Sequence, residues 1–348
     1  MKPEMPVWSE KVGNVSQIGG IETSVLDNGI SRGMRVAWVN TGSGLRFKVL
    51  LDRAMDIADA AFNGYNLAWL NHAGFPTPQP FSDKGLDWLR TFGGGLVNTC
   101  GLAHVGGPEK DAYGERGIHG RISNTPAEIE SIIQPDPARG KNTMSLTGII
   151  KESNIFGPSL ELRRTISAEL GSTFIHIHDE ITNRGNIPAP HMILYHCNFG
   201  WPLADQGSKL IWKGKMFTRD EKDFPNPETF KSCPDVLEEH KGNGEQVAVI
   251  DIDADNNGKC ICGIHNEKLE LAVALHFNKK QLPWLTNWQH WGKGEYVTGI
   301  EPGSHPPMGQ SKAREKGTLI FLEPGEYLNY NLSLQVLKGK ENIHNILY

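Results

Sequence analysis

Long apolar segments and an excess of positive charge are both missing from this sequence. No run of about 18 apolar residues occurs in the chain, so no transmembrane helix is predicted. Lysine and arginine number 35 against 40 acidic residues, for a net charge of −5, and no basic patch suited to a phosphate backbone stands out. The N-terminal stretch MKPEMPVWSEKVG has no apolar core of a secretory signal. We therefore expect neither a membrane nor a nucleic acid as partner, and the oligomeric state stays open.

Cysteine is scarce, with five residues in the 348-residue chain. An odd number of cysteines without a signal peptide indicates reduced thiols and a cytoplasmic location. Cys260 and Cys262 form a C-x-C pair that would share one face of a strand. No second pair exists to complete a tetrahedral zinc site, so the sequence predicts no metal there.

Helical patterns are also rare, and only residues 83–92 and 234–242 suggest short helices. Glycine (39) and proline (21) are scattered in turn signals that separate short alternating segments. The segments predicted as strands include 174–182, 247–253, 269–277, 318–324 and 327–337. Closely spaced strands with little helix predict an all-β fold, a large antiparallel β-sandwich with few short helices. We expect one domain over residues 1–348, with residues 1–20 as an N-terminal extension.

Two junctions between a strand and a turn each carry one titratable side chain. In ILYHCNFGWP (193–202) an apolar stretch runs into His196, and an asparagine, a glycine and a proline follow. In TGIEPGSHP (298–306) Glu301 stands in the same way before a proline and a glycine. A histidine and a carboxylate at strand ends can act as general acid and base. Taken singly, the histidine is more typical of a core residue that bonds a backbone carbonyl, and a glutamate before a turn is often a surface residue.

Three further segments supply side chains that suit a polyhydroxyl ligand. His119 and Arg121 flank a glycine in GIHGRISNTPAE (117–128), Arg53 lies among apolar residues in LLDRAMDIADA, and Trp288 is one of three tryptophans before the Glu301 strand. Aromatic faces stack on sugar rings, and the arginine fork binds oxygen atoms. Core filling and structural turns would use the same residues, but the sum favours a sugar over an apolar ligand.

The order of these motifs resembles the aldose 1-epimerase (galactose mutarotase) superfamily from about residue 20 to the C-terminus. ELRRTISAELGSTFIHIHDEITNRGNIPAPHMILYHCNFGWPL (161–203) is similar to the block that carries the catalytic histidine, and TGIEPGSHP to the segment with the catalytic glutamate. TLIFLEPGEYLNYNLSLQV resembles the closing strand pair, and IHG at 118–120 the sugar-binding His-Gly. TFGGGLVNTCGLAHVGG stands where the family has Gly-Arg-x-x-Asn-Arg. The chain therefore resembles an uncharacterised branch rather than an authentic galactose mutarotase.

The resemblance implies a carbohydrate epimerase that interconverts the anomers of an aldose by opening the sugar ring. Glu301, as carboxylate, takes the proton of the anomeric hydroxyl, and His196, as imidazolium, gives one to the ring oxygen. Opposite charges in one cleft favour that charge state. Neither a metal nor an organic cofactor is required. The substrate-binding residues would be Arg53, Asn98, His119, Arg121 and Trp288, and Asp220 is the candidate for an aspartate that holds a sugar hydroxyl.

Three alternatives stay open. His176, His178 and Glu180 share one face of the strand FIHIHDE, a spacing that would suit a metal-dependent sugar isomerase or a dioxygenase. A non-catalytic sugar-binding protein could keep the fold, since fold does not imply function. The same acid–base pair could also isomerise or epimerise an unusual or acidic sugar.

Overall fold

The computed structural model describes residues 7–79, 81, 83–218 and 228–348, and most of its regular structure is β-strand. The strands of these ranges are β1 (Gly20–Val25), β2 (Arg35–Asn40), β3 (Leu45–Leu50), β4 (Asp56–Phe62), β5 (Tyr65–Asn66), β6 (Asn98–Leu102), β7 (Glu109–Asp111), β8 (Gly114–Arg116), β9 (Glu128–Ile133), β10 (Thr143–Ser153), β11 (Ser159–Glu169), β12 (Phe174–Asn183), β13 (Ala189–Phe199), β14 (Lys209–Ile211), β15 (Gly214–Thr218), β16 (Gln246–Ile252), β17 (Lys259–Asn266), β18 (Leu271–Asn278), β19 (Trp284–Gly292), β20 (Glu295–Gly303), β21 (Ile320–Leu322) and β22 (Tyr327–Lys338). The α-helices are α1 (Gln310–Glu315) and α2 (Lys340–Leu347). Single 3₁₀ turns occupy Val7–Glu10, Val15–Gln17, Gly29–Ser31, Asp87–Arg90, Ile122–Asn124, Pro137–Arg139, Thr229–Lys231 and Glu238–His240.

The strands form three large sheets and one small hairpin. A five-stranded sheet has the order β1-β2-β3-β4-β5, and an eight-stranded sheet the order β14-β17-β18-β22-β12-β11-β10-β9. The third sheet runs β15-β16-β19-β20-β13-β21, with β6 also paired to β13, and β7 pairs with β8. Neighbouring strands are antiparallel, as in β13 with β20 and β19 with β20. The third sheet carries the candidate site.

One apolar core joins the three sheets. Side chains alternate along β11, where Leu160, Leu162 and Ile166 are buried between partly exposed neighbours, as a strand with one face on the core requires. The same apolar cluster contains Phe47 from the five-stranded sheet and Ile300 from the third sheet. This arrangement confirms the predicted all-β sandwich with few short helices.

The local predictions are confirmed for strands better than for helices. The predicted strands at 174–182, 247–253, 269–277 and 327–337 correspond to β12, β16, β18 and β22, and 318–324 shortens to β21. The predicted helices at 83–92 and 234–242 are wrong in extent, since only the 3₁₀ turns Asp87–Arg90 and Glu238–His240 form. Helix α2 was not predicted, although Ile343 and Leu347 are one turn apart and pack on β18 and β22. None of the helices in the described ranges is long and apolar enough to cross a membrane.

A buried ionic network lies behind the third sheet, on the core side of β13. Arg164 donates to both carboxylate oxygens of Asp179, at 2.8 and 2.6 Å, and reaches Asp56 at 3.3 Å. The Tyr195 hydroxyl donates to Asp179 at 2.7 Å, and the Thr99 hydroxyl donates to Asp56 at 2.6 Å. Because buried charges are costly unless paired, this network ties β11, β12 and β4 to the back of β13 and β6.

Candidate active site

His196 and Glu301 meet on one face of the third sheet. The register that pairs Leu194 with Gly303 and Cys197 with Ile300 places His196 of β13 directly across from Glu301 of β20. The imidazole Nε2 lies 3.2 Å from the carboxylate Oε1, and 6% and 3% of the two side chains are exposed. Both residues lie within their strands rather than at strand ends, so the sequence interpretation was wrong on that point. Cross-strand pairing, not the turn, brings the two groups together.

Gly299 makes room for the carboxylate of Glu301. The two residues share one face of β20 because they are two positions apart. A Cβ atom on Gly299 would overlap Oε1 of Glu301 and would lie 3.1 Å from its Cδ. All three of its nearest neighbours would belong to the Glu301 side chain. The carboxylate therefore folds back along the strand through the space that a side chain at residue 299 would fill.

Burial disfavours the charged form of both groups. Burial lowers the pKa of His196 to about 4, and the Asn198 side chain opposes this shift. Burial, reinforced by the carboxylate of Glu245, raises the pKa of Glu301 well above its usual value. The sequence analysis expected an imidazolium facing a carboxylate. Burial instead favours the neutral form of each group, a carboxyl beside an imidazole, which together carry the same number of protons as the charged pair.

Two polar residues extend the pair into a row across four strands. Asn98 of β6 is the register partner of His196, and Thr286 of β19 is the partner of Glu301. Asn98 Nδ2 donates to Asp56 at 3.1 Å, which leaves Oδ1 as the acceptor. Asn98 Oδ1, Thr286 Oγ1, His196 Nδ1 and Glu301 Oε1 are buried without a hydrogen-bond partner among the described residues. Such atoms are rare in protein interiors unless a ligand or water uses them.

Aromatic rings surround the pair. The His196 ring lies 5.1 Å from Phe92, 5.3 Å from Trp288 and 6.2 Å from Trp88, centroid to centroid. Trp69 lies 6.2 Å from Trp288, and the Trp288 indole N–H donates to Glu245 at 2.8 Å. Trp288 therefore lies beside His196, and its role as a stacking wall stays a prediction. Of the other two tryptophans in its segment, Trp291 is a core residue.

His119 lies at the same site, while the two predicted arginines do not point into it. The His119 ring is 6.1 Å from that of His196, and burial lowers its pKa to about 3. Arg121 donates to the Ser153 carbonyl and to Asn154, each at 3.1 Å. Arg53 is fully buried and donates to the carbonyls of Pro76 and Thr91 and to Asn124 Oδ1. Burial lowers its pKa to about 10.

The residues of the metal alternative are engaged elsewhere. His176 contacts the Ser333 hydroxyl and His178 contacts Asn331 Oδ1, both at 2.8 Å on β22 of the eight-stranded sheet. Across the described ranges, no group of three or more His, Cys, Asp or Glu side chains is arranged to hold a metal ion. Asp220 lies outside the described residues.

Sequence reasoning missed several residues of the site. Asn198 was interpreted as a turn residue, yet it lies on β13 two positions after His196, and its Nδ2 donates to the carbonyls of Gly95 and His196. The alternation of a strand would have placed Asn198 on the same face as His196. No comparable sequence signal marks Thr286, Trp88 or Phe92. Thr286 reaches the site through the pairing of β19 with β20, and Trp88 and Phe92 reach it from the 3₁₀ turn Asp87–Arg90 and the residues after it.

Known structures share this fold at low sequence identity. A Klebsiella pneumoniae protein, proposed to be an aldose 1-epimerase, is 22% identical with a TM-score of 0.85, over 96% of this chain and 88% of that one. A galactose mutarotase-like protein from Clostridium acetobutylicum is 14% identical (TM-score 0.62; 93% and 100%). Galactose 1-epimerase from Lactobacillus acidophilus is 13% identical (TM-score 0.60; 92% and 99%). Fold and neighbours are thus galactose mutarotase-like.

Sequence comparisons assign no activity to this chain. No curated protein matches the sequence. A family model described as a domain of unknown function, DUF4432, matches residues 31–336, which is most of the 348-residue chain. The chain therefore belongs to the DUF4432 family and has a galactose mutarotase-like fold.

Proposed function

We propose that this protein interconverts the anomers of an aldose by acid–base opening and closing of the sugar ring. The observation that carries the proposal is the buried contact of 3.2 Å between His196 Nε2 and Glu301 Oε1. A proton donor and a proton acceptor at one place suit a reaction in which one hydroxyl loses a proton while the ring oxygen gains one.

The pair holds the proton that the reaction needs. Glu301 as carboxyl with neutral His196, and Glu301 as carboxylate with His196 as imidazolium, contain equal numbers of protons. Transfer of the proton from Glu301 to His196 converts the first state into the second. Glu301 then takes the proton from O1, His196 gives its proton to O5, and the C1–O5 bond breaks to leave the aldehyde. Rotation about C1–C2 and closure by the reverse steps produce the other anomer.

The remaining polar atoms favour a ligand that donates hydrogen bonds. Asn98 presents its oxygen because its nitrogen is held by Asp56, and Thr286 presents a hydroxyl across from Glu301. Sugar hydroxyls can donate to both. We assign sugar binding to Asn98, His119 and Trp288. The Nη atoms of Arg53 and the guanidinium of Arg121 donate to the protein's own oxygen atoms, so these contacts do not favour the acidic-sugar alternative.

We further propose that residues 1–348 act as a single domain, since one apolar core includes all three large sheets. All five thiols are free, which suits the reducing cytoplasm.

Anomer exchange measured by saturation-transfer NMR over a panel of neutral, phosphorylated and acidic aldoses tests the proposal. We expect accelerated exchange for at least one neutral aldose. His196→Gln and Glu301→Gln should each reduce the rate by about 10²-fold or more while sugar binding persists. His178→Gln is the matched control, because His178 is an exposed residue of β12.

Two outcomes would count against the proposal. Binding of a sugar with no exchange of its anomers would support the non-catalytic alternative. Loss of exchange in His178→Gln, restored by a divalent metal, would support the metal alternative.

A further inference from the structure

A cavity lies on the face of the third sheet that carries His196 and Glu301. Its volume is about 280 Å³. Its walls are mainly apolar, with two polar residues, and are formed by Phe217, Thr218, Val247, Val249, Trp284, Pro306, Pro307, Met308 and Lys316. Phe217 and Met308 are 40% and 43% exposed, so the cavity is accessible from solvent.

The strand register places the cavity on the same face as the polar row of the proposed active site, on the side of Thr286 away from Glu301. Glu301 pairs with Thr286, Thr286 pairs with Val249 of β16, and Val249 pairs with Phe217 of β15. Directly paired residues project from the same face of a sheet. Neighbouring strands are about 4.8 Å apart, so Val249 lies roughly 10 Å from Glu301. Along this row the side chains change from polar at Thr286 to apolar at Val249 and Phe217.

The direction of the row fixes which part of a sugar faces the cavity. His196 lies on the β13 side of Glu301, and the cavity lies on the opposite side, beyond Thr286. In the proposed reaction O5 faces His196 and O1 faces Glu301. A substituent on O1 is therefore directed across Thr286 toward Val249 and Trp284.

We propose that this cavity binds the apolar aglycone of an alkyl or aryl glycoside whose sugar ring lies at the His196–Glu301 pair. The inference rests on the proposed function, which orients the ring. The valine, proline and methionine walls offer no partners to hydroxyl groups, and burying unpaired hydroxyls is costly. An apolar group thus suits the cavity better than a second sugar. A glycoside has no proton on O1, so it binds without ring opening and inhibits anomer exchange.

Inhibition by matched methyl and hexyl glycosides of the aldose that the protein anomerises fastest tests this assignment. Burial of several methylenes should make the hexyl glycoside bind at least about tenfold more tightly than the methyl glycoside. Trp284→Ala and Phe217→Ala should each reduce this ratio to about threefold or less. Phe321→Ala is the matched control. Like Phe217, Phe321 is a partly exposed phenylalanine on an outer strand of the third sheet with a cation over its ring, but it does not line the cavity.

The outcomes separate this inference from the proposed function. Equal inhibition by methyl and hexyl glycosides, with normal anomer exchange, would overturn the inference alone, as would a ratio unchanged in both cavity variants. Tighter binding of a disaccharide than of the hexyl glycoside would also overturn it. If no aldose is anomerised, the proposed function fails. Calorimetric titration with methyl and hexyl β-D-glucosides and β-D-galactosides then tests the cavity on its own. A tenfold tighter binding of the hexyl glycoside that is lost in Trp284→Ala would support the aglycone site. Equal affinities for the methyl and hexyl glycosides would refute it.

Discussion

Replacing Gly299 by alanine should remove activity without removing the fold. The added Cβ would overlap Oε1 of Glu301 and approach its Cδ to 3.1 Å and its Cγ to 3.3 Å. These atoms belong to a side chain that can rotate, whereas no backbone atom is among the three nearest neighbours. The Gly299 backbone is outside the left-handed region, so alanine can adopt its conformation. Relief of the overlap therefore moves the carboxyl group away from its contact with His196.

The magnitudes follow from which atoms move. A positioned acid or base contributes about 10²–10⁴-fold to a rate, so Gly299→Ala should lower kcat/KM for anomer exchange by about 10²-fold. The free energy of unfolding should change by less than about 1 kcal/mol, because alanine at a compatible site loses less entropy on folding than glycine. Urea titration and saturation-transfer NMR on the same preparations measure the two effects. Gly107→Ala is the control, since a Cβ there would have no neighbour within 4 Å.

Full activity in Gly299→Ala would refute this reasoning, because it would mean that the rate does not depend on where the Glu301 carboxyl lies. Loss of activity accompanied by a loss of several kcal/mol of unfolding free energy would also refute it, because it would show that Gly299 is needed for the packing of β20.

The site and its surroundings lead to three more predictions. The pKa of His196 is lowered to about 4 and that of Glu301 is raised, so the form with one transferable proton persists between these values. In a pH–rate profile kcat/KM should therefore fall as pH decreases through about 4 and again as pH rises through the raised pKa; a rate that stays constant as pH falls through about 4 would contradict this. Asp179→Ala leaves Arg164 buried without its bidentate partner, so urea unfolding should show a loss of about 3–5 kcal/mol, while a change below 1 kcal/mol would mean that the network adds little. Trp288→Ala should raise KM about tenfold with a smaller effect on kcat, since stacking of a ring contributes roughly 1–1.5 kcal/mol; an unchanged KM in steady-state kinetics would exclude this wall from sugar binding.

The sequence was sufficient for the elements whose side chains alternate. Segments such as 327–337 carry apolar residues at every second position and became strands because one face must be buried. His196 and Glu301 were singled out as titratable residues next to turns, and the resemblance to a known superfamily gave them their roles. Their contact itself depends on the register between β13 and β20, a pairing of distant segments that local patterns do not encode.

Residue type alone could not distinguish the site from its support. Arg53, an arginine among apolar residues, was predicted to bind a ligand, but it donates hydrogen bonds to backbone carbonyls. Thr286, a threonine in a tryptophan-rich strand, was overlooked, but it lies across from Glu301. Nothing in the sequence marked Gly299, yet its place within β20 provides the space for a carboxylate. Each distinction depends on three-dimensional neighbours rather than on spacing along the chain.

The most direct test compares the anomer exchange rates of wild-type protein, His196→Gln, Glu301→Gln and the double variant on one substrate. If one proton moves within a single pair, each single variant should lose about as much rate as the double variant, because groups that act as a unit are not additive. Losses that multiply in the double variant, or single variants that keep the full rate, would contradict a reaction that depends on proton exchange between these two side chains.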